Sequence, residues 1–199
     1  MSKQQQFDAL SAQLRRFTAS PLYQFRADNN YYPVLGDGSL EADIMFIGEA
    51  PGKNEAERGK PFCGAAGRFL DKLIGSISLD RNDVFITSIL HDRPPDNRDP
   101  APGEIAAYTP FLKELIRIIE PRILVPLGRY AAQFIIERYA TQAPANLAIS
   151  SIHGTIIDGN DGLLICPLYH PAAALYNGSM RAILMQDMQA LHSILKDHS

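Results

Sequence analysis

Apolar residues along the chain are concentrated in short continuous runs, with longer stretches of mixed polarity around them. The runs are residues 44–47, 84–89, 123–128 and 163–168. Runs of this length with few polar residues are typical of strands that are buried on both faces of a sheet. Residues 156–163 contain a glycine-rich turn between apolar positions, which predicts a hairpin next to the last run.

Around the predicted strands, apolar residues recur at the three- and four-residue spacing of a helix. The stretches with this spacing are residues 4–18, 66–77, 102–119, 129–139 and 180–195. Strands that alternate with helices indicate βαβ units, which build a parallel sheet with helices on both faces. In such folds ligands bind beyond the carboxyl ends of the strands. The pattern therefore predicts an α/β fold and the edge at which a functional site should lie.

Three of the predicted strands end close to chemically reactive side chains. The first strand runs into Glu49, the second carries Ser88 near its end, and the last runs into His170. Taken singly, each has an ordinary explanation, because a glutamate in a turn is often solvated and a lone histidine is more often structural. A carboxylate, a hydroxyl and an imidazole at one sheet edge together favour a catalytic site.

Two glycine-containing loops follow the first predicted strand. The first loop consists of Gly48, Glu49, Ala50, Pro51 and Gly52. Its glycines allow the backbone to approach a ligand, and its proline stiffens the turn. Glu55 is either a second carboxylate of the site or a surface charge. Phe62 lies in the second loop, where it either stacks on a flat base or packs in the core.

Composition and charge narrow the range of functions only slightly. The 199 residues suffice for one domain over residues 1–199, with a first helix at about 4–18 and a core at about 40–197. The net charge of −3 argues against a protein coated in positive charge, but it permits basic residues around one groove. No apolar run has the length of a membrane span, and the start lacks the apolar core of a secretion signal. We therefore expect a cytoplasmic protein without a membrane partner.

The cysteines and arginines give weaker indications. Cys63 and Cys166 are the only cysteines, and they lack the paired spacing of a zinc or iron–sulfur site. We expect both to be reduced thiols. Residues 93–100 form a proline-containing loop with Arg93 and Arg98, which suit phosphate contacts, although a structural turn explains the loop equally well.

Taken together, these motifs resemble those of the family-4 uracil-DNA glycosylases of the uracil-DNA glycosylase superfamily. The matching segments are residues 48–52, 59–62, 64–67, 93–95, 97–98, 127–128 and 169–172. Several short motifs in the family's order and spacing are far more specific than any single one. The resemblance implies a three-layer α/β/α sandwich around a four-stranded parallel sheet. It also implies a DNA partner that contains uracil or another deaminated base, flipped into a pocket. We expect a monomer.

The resemblance also implies roles for individual residues. Glu49 would orient or activate the water that attacks the sugar, His170 would hydrogen-bond the uracil O2, and Phe62 would stack on the base. Further substrate contacts would come from Gly48, Ala50, Pro51, Gly52, Glu55 and Ser88. The DNA contacts would come from Arg93, Arg98, Pro171 and Leu175, with Leu175 and its neighbours filling the gap in the duplex.

Two features depart from the family pattern. The family holds a four-iron cluster with four cysteines, and this chain has Phe17, Ser20, Asp92 and Tyr108 at those positions. We therefore expect no cluster, no other metal and no cofactor, with packing by Phe17 and Tyr108 in the cluster's structural role. Ser88 stands where the family usually has asparagine. Because a hydroxyl replaces a fixed donor–acceptor pair, we expect weaker uracil selectivity, or a preference for hypoxanthine or xanthine.

Three functions are compatible with features of the sequence. The leading one is a monofunctional glycosylase that leaves an abasic site, with water as the nucleophile. A glycosylase-like nucleic-acid-binding protein without catalysis is motivated by Ser88 and the missing cysteines, but Glu49, Phe62 and His170 together argue against it. A nucleotide-processing hydrolase is disfavoured because the sequence has neither a Gly-Lys-Ser/Thr phosphate loop nor a clear acidic metal cluster.

Overall fold

A computed structural model of the protein describes residues 1–197, so residues 198 and 199 of the predicted domain lie outside the described part. The strands are β1 (Asp37–Gly38), β2 (Ile44–Gly48), β3 (Phe85–Ser88), β4 (Ile123–Pro126), β5 (Ile157–Asp158) and β6 (Leu164–Ile165). The helices are α1 (Lys3–Arg15), α2 (Tyr23–Asp28), α3 (Lys53–Arg58), α4 (Ala65–Gly75), α5 (Pro102–Ile119), α6 (Arg129–Tyr139), α7 (Ile149–Ile152), α8 (Ala173–Tyr176) and α9 (Gly178–Asp197). The predicted α/β class is confirmed.

The strands form one mixed sheet with the order β1-β3-β2-β4-β6-β5. Its four central strands pair in parallel, while β1 and β5 pair antiparallel at the two edges. The sheet thus has six strands of mixed direction, and its four central strands are parallel, where the prediction was a sheet of four parallel strands alone. The two edge strands have two residues each, too few to produce a recognisable apolar run.

Helices cover both faces of the sheet. Successive residues of a strand point to opposite faces, so each central strand contributes to both cores. On β2, Met45 and Ile47 pack with buried residues of α1, α5 and α6 in one core cluster. Ile44 and Phe46 pack with buried residues of α4 and α9 in the other. The central strand is thus fully buried, which explains its continuous apolar sequence.

The boundaries of several elements differ from the sequence-based predictions. Helix α1 ends at Arg15 rather than near residue 18, and the chain then turns to bury Ser20. Strand β6 is shorter than its apolar run, although the N–H groups of Cys166 and Leu168 beyond it still donate to carbonyl groups of β4. The predicted hairpin is confirmed as β5 paired with β6. Within residues 1–197, no helix combines the length and the apolar character that crossing a bilayer requires.

The register of the parallel strands brings their carboxyl ends to one edge of the sheet. Gly48 at the end of β2 lies opposite Ser88 at the end of β3. Beyond β4, Leu127 forms a parallel bridge to Leu168, two residues before His170. The segments that follow β2, β3 and β6 therefore emerge together.

Candidate active site

A cavity of about 380 Å³ opens at this edge of the sheet. Its lining includes Glu49 after β2, Ser88 at the end of β3, His170 after β6, and Phe62 from the loop between α3 and α4. Small-molecule pockets in proteins begin at about 300 Å³, so the cavity is large enough for a nucleobase. The structure thus brings together the carboxylate, the hydroxyl and the imidazole that the strand ends predict.

The loop after β2 forms one wall of the cavity. Ala50, Pro51 and Gly52 line it, together with Glu49. Gly48 lies behind the Phe62 ring, where an added Cβ would lie 2.7 Å from a ring carbon. Glycine is therefore needed at this position for the close approach of the ring, and Gly48 itself does not line the cavity.

The Glu49 side chain is half-buried, and its carboxylate accepts no hydrogen bond from the other described residues. Burial raises the pKa of Glu49 above its ordinary value, and the Asp99 carboxylate raises it further, while Arg129 opposes the shift. Both carboxylate oxygens remain available to accept hydrogen bonds from a water molecule. This is the arrangement expected of a group that orients or activates water.

The His170 ring is held in one tautomer by the backbone. The Ala172 N–H donates to its Nδ1 at 3.2 Å. Burial lowers the pKa of His170 to about 4, with Glu55 opposing the shift, so the ring is neutral near pH 7. Because Nδ1 accepts a hydrogen bond, the single proton of the neutral ring lies on Nε2. His170 can therefore donate one hydrogen bond to a bound molecule.

The Phe62 ring stacks against His170, with 5.6 Å between the ring centroids and 29° between the planes. Its loop is anchored by Glu55, whose Oε1 accepts the N–H groups of Cys63 at 2.9 Å and Gly64 at 3.0 Å. Glu55 also lines the cavity. One of its oxygens is thus committed to the loop, so Glu55 supports the aromatic wall of the cavity.

Ser88 contributes a buried hydroxyl to the cavity wall. The hydroxyl of its neighbour Thr87 donates to the Leu35 carbonyl at 2.6 Å, whereas the Ser88 hydroxyl has no protein partner in the described part of the chain. The Ser88 hydroxyl is therefore free to donate or accept a hydrogen bond at the edge of a bound molecule.

The predicted DNA-contacting arginines are both engaged within the protein. Arg98 lines the cavity and forms two hydrogen bonds with the Glu104 carboxylate. Arg93 donates to Asn97 and to the Tyr31 hydroxyl, each at 2.8 Å. These contacts fix the loop after β3 in place and leave part of the exposed Arg98 guanidinium facing solvent.

The segment after His170 presents a different surface from the one predicted. Pro171 is buried and so has little surface to offer DNA, and Leu175 is only half-buried. Tyr176, the last residue of α8, is 94% exposed, which makes it the most prominent apolar side chain of this segment. The sequence-based prediction covered Tyr176 only as a neighbour of Leu175 and did not single it out.

Part of the cavity wall comes from residues that the sequence did not indicate. These are Val34, Pro61, Ala66, Pro94, Asn97 and Ala172. All except Val34 lie in or beside the recognised motifs, where the small residues and prolines carry no chemical signal and the Asn97 side chain did not by itself indicate a cavity. Val34 lies in the segment before β1, which has neither a motif nor a clear periodicity.

The four positions at which the resembling family has cluster cysteines lie close together. The Phe17 and Tyr108 rings meet edge to face with 5.9 Å between centroids. The Tyr108 hydroxyl is hydrogen-bonded to Ser20 and donates to Asp92. Arg26, which sequence reasoning missed, donates to both carboxylate oxygens of Asp92 at 3.1 and 2.9 Å.

These residues do not fit an iron–sulfur cluster, because a phenyl ring, two hydroxyls and an ion-paired carboxylate replace the thiolates that such a cluster requires. The space between them is filled by their own contacts, and Asp92 and Tyr108 are almost fully buried. Across the described residues, no group of three or more His, Cys, Asp or Glu side chains could hold a metal ion.

Comparison with known proteins agrees with the geometry of the cavity. Residues 35–191 match the Uracil DNA glycosylase superfamily. The chain belongs to the uracil-DNA glycosylase superfamily. The resemblance predicted from the short motifs is therefore confirmed, and the matched range contains every residue that lines the cavity except Val34.

Among its relatives in this superfamily are several Type-4 enzymes. A Type-4 uracil-DNA glycosylase of Saccharolobus solfataricus is 39% identical over 192 residues, which cover 94% of this chain and 86% of that protein. One of Thermotoga maritima is 34% identical over 197 residues, which cover 98% and 97%. A Type-5 uracil-DNA glycosylase of Thermus thermophilus is 32% identical over 129 residues, which cover 57% and 58%.

Proposed function

We propose that the protein is a monofunctional DNA glycosylase of base-excision repair, which hydrolyses the bond between uracil and deoxyribose and leaves an abasic site. The observation that carries this proposal is the cavity that unites Glu49, Phe62, Ser88 and His170. The Type-4 relatives, which match nearly the whole chain, support uracil as the base.

The geometry supports a hydrolytic mechanism with water as the nucleophile. Glu49 orients the water and accepts a proton from it, as the water oxygen bonds to C1′ of the sugar and the bond from C1′ to the base nitrogen breaks. The electron pair of that bond leaves with the base, and the Nε2–H of His170 stabilises the charge that develops on O2. Phe62 stacks on the flipped base. The negative charge of Glu49 stabilises the oxocarbenium-like sugar.

A base-excision assay tests the proposal. Single- and double-stranded oligonucleotides that carry uracil, hypoxanthine or xanthine are incubated with the protein, and abasic sites are then cleaved with alkali. Cleavage at the damaged base supports the proposed function. Specific binding without product supports a glycosylase-like nucleic-acid-binding protein instead, and neither binding nor product would point away from DNA.

Base preference depends on Ser88, in our proposal. A fixed amide can make paired contacts to a base edge that a single hydroxyl cannot make, and such a pair is worth about 1–3 kcal/mol of discrimination. We expect Ser88→Asn to raise the ratio of uracil to hypoxanthine excision by roughly tenfold, with Ser76→Asn on the far end of α4 as the control. Equal ratios in the wild type and in Ser88→Asn would contradict a role for Ser88 in selectivity.

We propose that the segment around α8 inserts into the gap that the flipped nucleotide leaves, with Leu175 and Tyr176 at its tip. Apolar side chains wedge between base steps in other DNA-binding proteins. Because Tyr176 is the more exposed, we expect Tyr176→Ala to lower excision from double-stranded DNA more than excision from single-stranded DNA. Equal losses on both substrates would count against insertion. Arg93 and Arg98 are proposed to lie along the phosphates.

The absence of a cofactor is likewise a proposal, supported by the poor fit of the residues at the cluster positions. We expect purified protein to be colourless, to contain no stoichiometric iron and to excise at the same rate after treatment with a chelator. An iron content of several atoms per chain would contradict this. We further propose that residues 1–199 form one domain, and that the protein is a cytoplasmic monomer that acts on DNA without a membrane. Gel filtration tests the oligomeric state.

A further inference from the structure

The backbone of Phe62 is in the left-handed region, with a φ of 47°. A bulky residue adopts this conformation only when its surroundings hold it there, and such residues cluster at functional sites. The ring of Phe62 is almost fully buried against the cavity. Side chains from outside the loop hold it in this conformation.

Arg81 makes the main side-chain contacts to the carbonyl side of the loop. Its guanidinium donates to the Phe62 carbonyl oxygen at 3.2 Å and to the Pro61 carbonyl oxygen at 2.5 Å. The guanidinium also donates to the exposed Asp71 carboxylate at 2.9 Å. Arg81 lies 19 residues beyond Phe62, in the turn between α4 and β3, and takes no part in the cavity lining.

The opposite side of the loop is held by Glu55, which accepts the N–H groups of Cys63 and Gly64. Gly67 on α4 closes the third side, since an added Cβ would lie 1.6 Å from the Phe62 carbonyl oxygen. The peptide units around Phe62 are thus fixed on the carbonyl side by Arg81, on the N–H side by Glu55, and by direct packing on α4.

We propose that Arg81 is a positioning residue for base excision, which fixes the left-handed backbone of Phe62 and thereby the orientation of its ring toward the flipped base. This inference rests on the proposed function for its effect on rate. Arg81 touches neither the base nor the reacting atoms, so it acts through Phe62. The planar guanidinium holds two successive carbonyl groups with separate nitrogens in a fixed fork, whereas a lysine offers one flexible ammonium.

A double-mutant cycle measures this coupling. Arg81→Met keeps the aliphatic stem and removes the donors, whereas the control Asp71→Asn breaks the ion pair and keeps both bonds to the loop. In single-turnover uracil excision, we expect Phe62→Ala to be slower than the wild type by roughly 5- to 150-fold, the contribution of base stacking on an aromatic ring, and Arg81→Met to be slowed by no more than Phe62→Ala. The double variant should be no slower than Phe62→Ala alone, and Asp71→Asn should match the wild type. Wild-type activity in Arg81→Met, or independent multiplying losses in the double variant, would overturn the proposal.

A fluorescence measurement tests the same contact without catalysis. The protein has no tryptophan, so Phe62→Trp places a single fluorophore in the loop. We expect Arg81→Met in this background to red-shift the emission and to increase quenching by acrylamide, while Asp71→Asn leaves both unchanged. If this shift occurs but the wild type excises no uracil, the proposed function fails and the positioning of Phe62 stands. If excision occurs with unchanged quenching, the positioning role fails. Arg81→Lys, expected between Arg81→Met and the wild type in rate, provides a milder variant should Arg81→Met not fold.

Discussion

We expect Glu49→Gln to lower the single-turnover rate of uracil excision by roughly 10²–10⁴-fold, the range typical of a side chain that activates a reacting group. The amide keeps the size of the side chain but can neither accept a proton nor stabilise the positive charge on the sugar. Binding of uracil-containing DNA should persist, because the cavity wall and the Phe62 platform are unchanged. Rates from an excess of protein over labelled oligonucleotide, with binding followed separately, check both parts.

Glu57→Gln is the matched control for this variant. Glu57 lies on α3, is exposed, and does not line the cavity. It therefore changes the net charge by the same amount without touching the site. A wild-type rate in Glu49→Gln, or an equal loss in Glu57→Gln, would show that the carboxylate does not act on the water.

The pH dependence of excision provides an independent check of Glu49. Its carboxylate is the active form, so the rate should fall as pH falls through its pKa. Because burial and Asp99 raise that pKa, the fall should begin at a higher pH than for an ordinary glutamate. Asp99→Asn removes one cause of the shift, and we therefore expect it to move the fall toward lower pH.

The positions of the reactive side chains were predictable from the sequence because parallel strands share a direction. Once β2, β3 and β6 are recognised as parallel, Glu49, Ser88 and His170 must emerge at the same edge. Apolar runs identify those strands without any knowledge of their partners. The antiparallel edge strands β1 and β5 could not be found in this way, because two residues carry no periodicity.

The supporting contacts were beyond sequence reasoning because each joins residues that are distant in the chain. Arg81 is 19 residues from Phe62, and Arg26 is 66 residues from Asp92. A charged residue that is isolated in sequence reads as a surface charge, and only the fold shows that Arg26 and Asp92 are buried together. The sequence predicted the packing of Phe17 and Tyr108. It gave no signal for the buried hydrogen bonds that join Tyr108 and Arg26 to Asp92.

We expect Asp92→Asn to lower the free energy of unfolding by about 3–5 kcal/mol, because it leaves the buried Arg26 guanidinium without its countercharge. Tyr108→Phe removes one hydroxyl between Ser20 and Asp92, and should cost about 1–3 kcal/mol. The surface pair of Glu114 with Arg117 on α5 supplies the control, since Glu114→Gln should cost less than about 1 kcal/mol. Urea denaturation followed by circular dichroism measures all three.

The size of the Asp92 effect also measures how strongly these polar contacts hold two segments of the fold together. Arg26 also donates to the carbonyl oxygen of Phe17, so the buried pair joins the segment after α1 to the loop after β3. That loop continues through Pro94 and Asn97 into the cavity wall, so loss of Asp92 should weaken excision as well as stability. The double variant Arg26→Met, Asp92→Leu removes both charges. It should recover much of the stability that Asp92→Asn loses, because apolar residues can replace a buried ion pair at little cost. A cost in Asp92→Asn no greater than that of Glu114→Gln would mean that these hydrogen bonds do not hold the segments together.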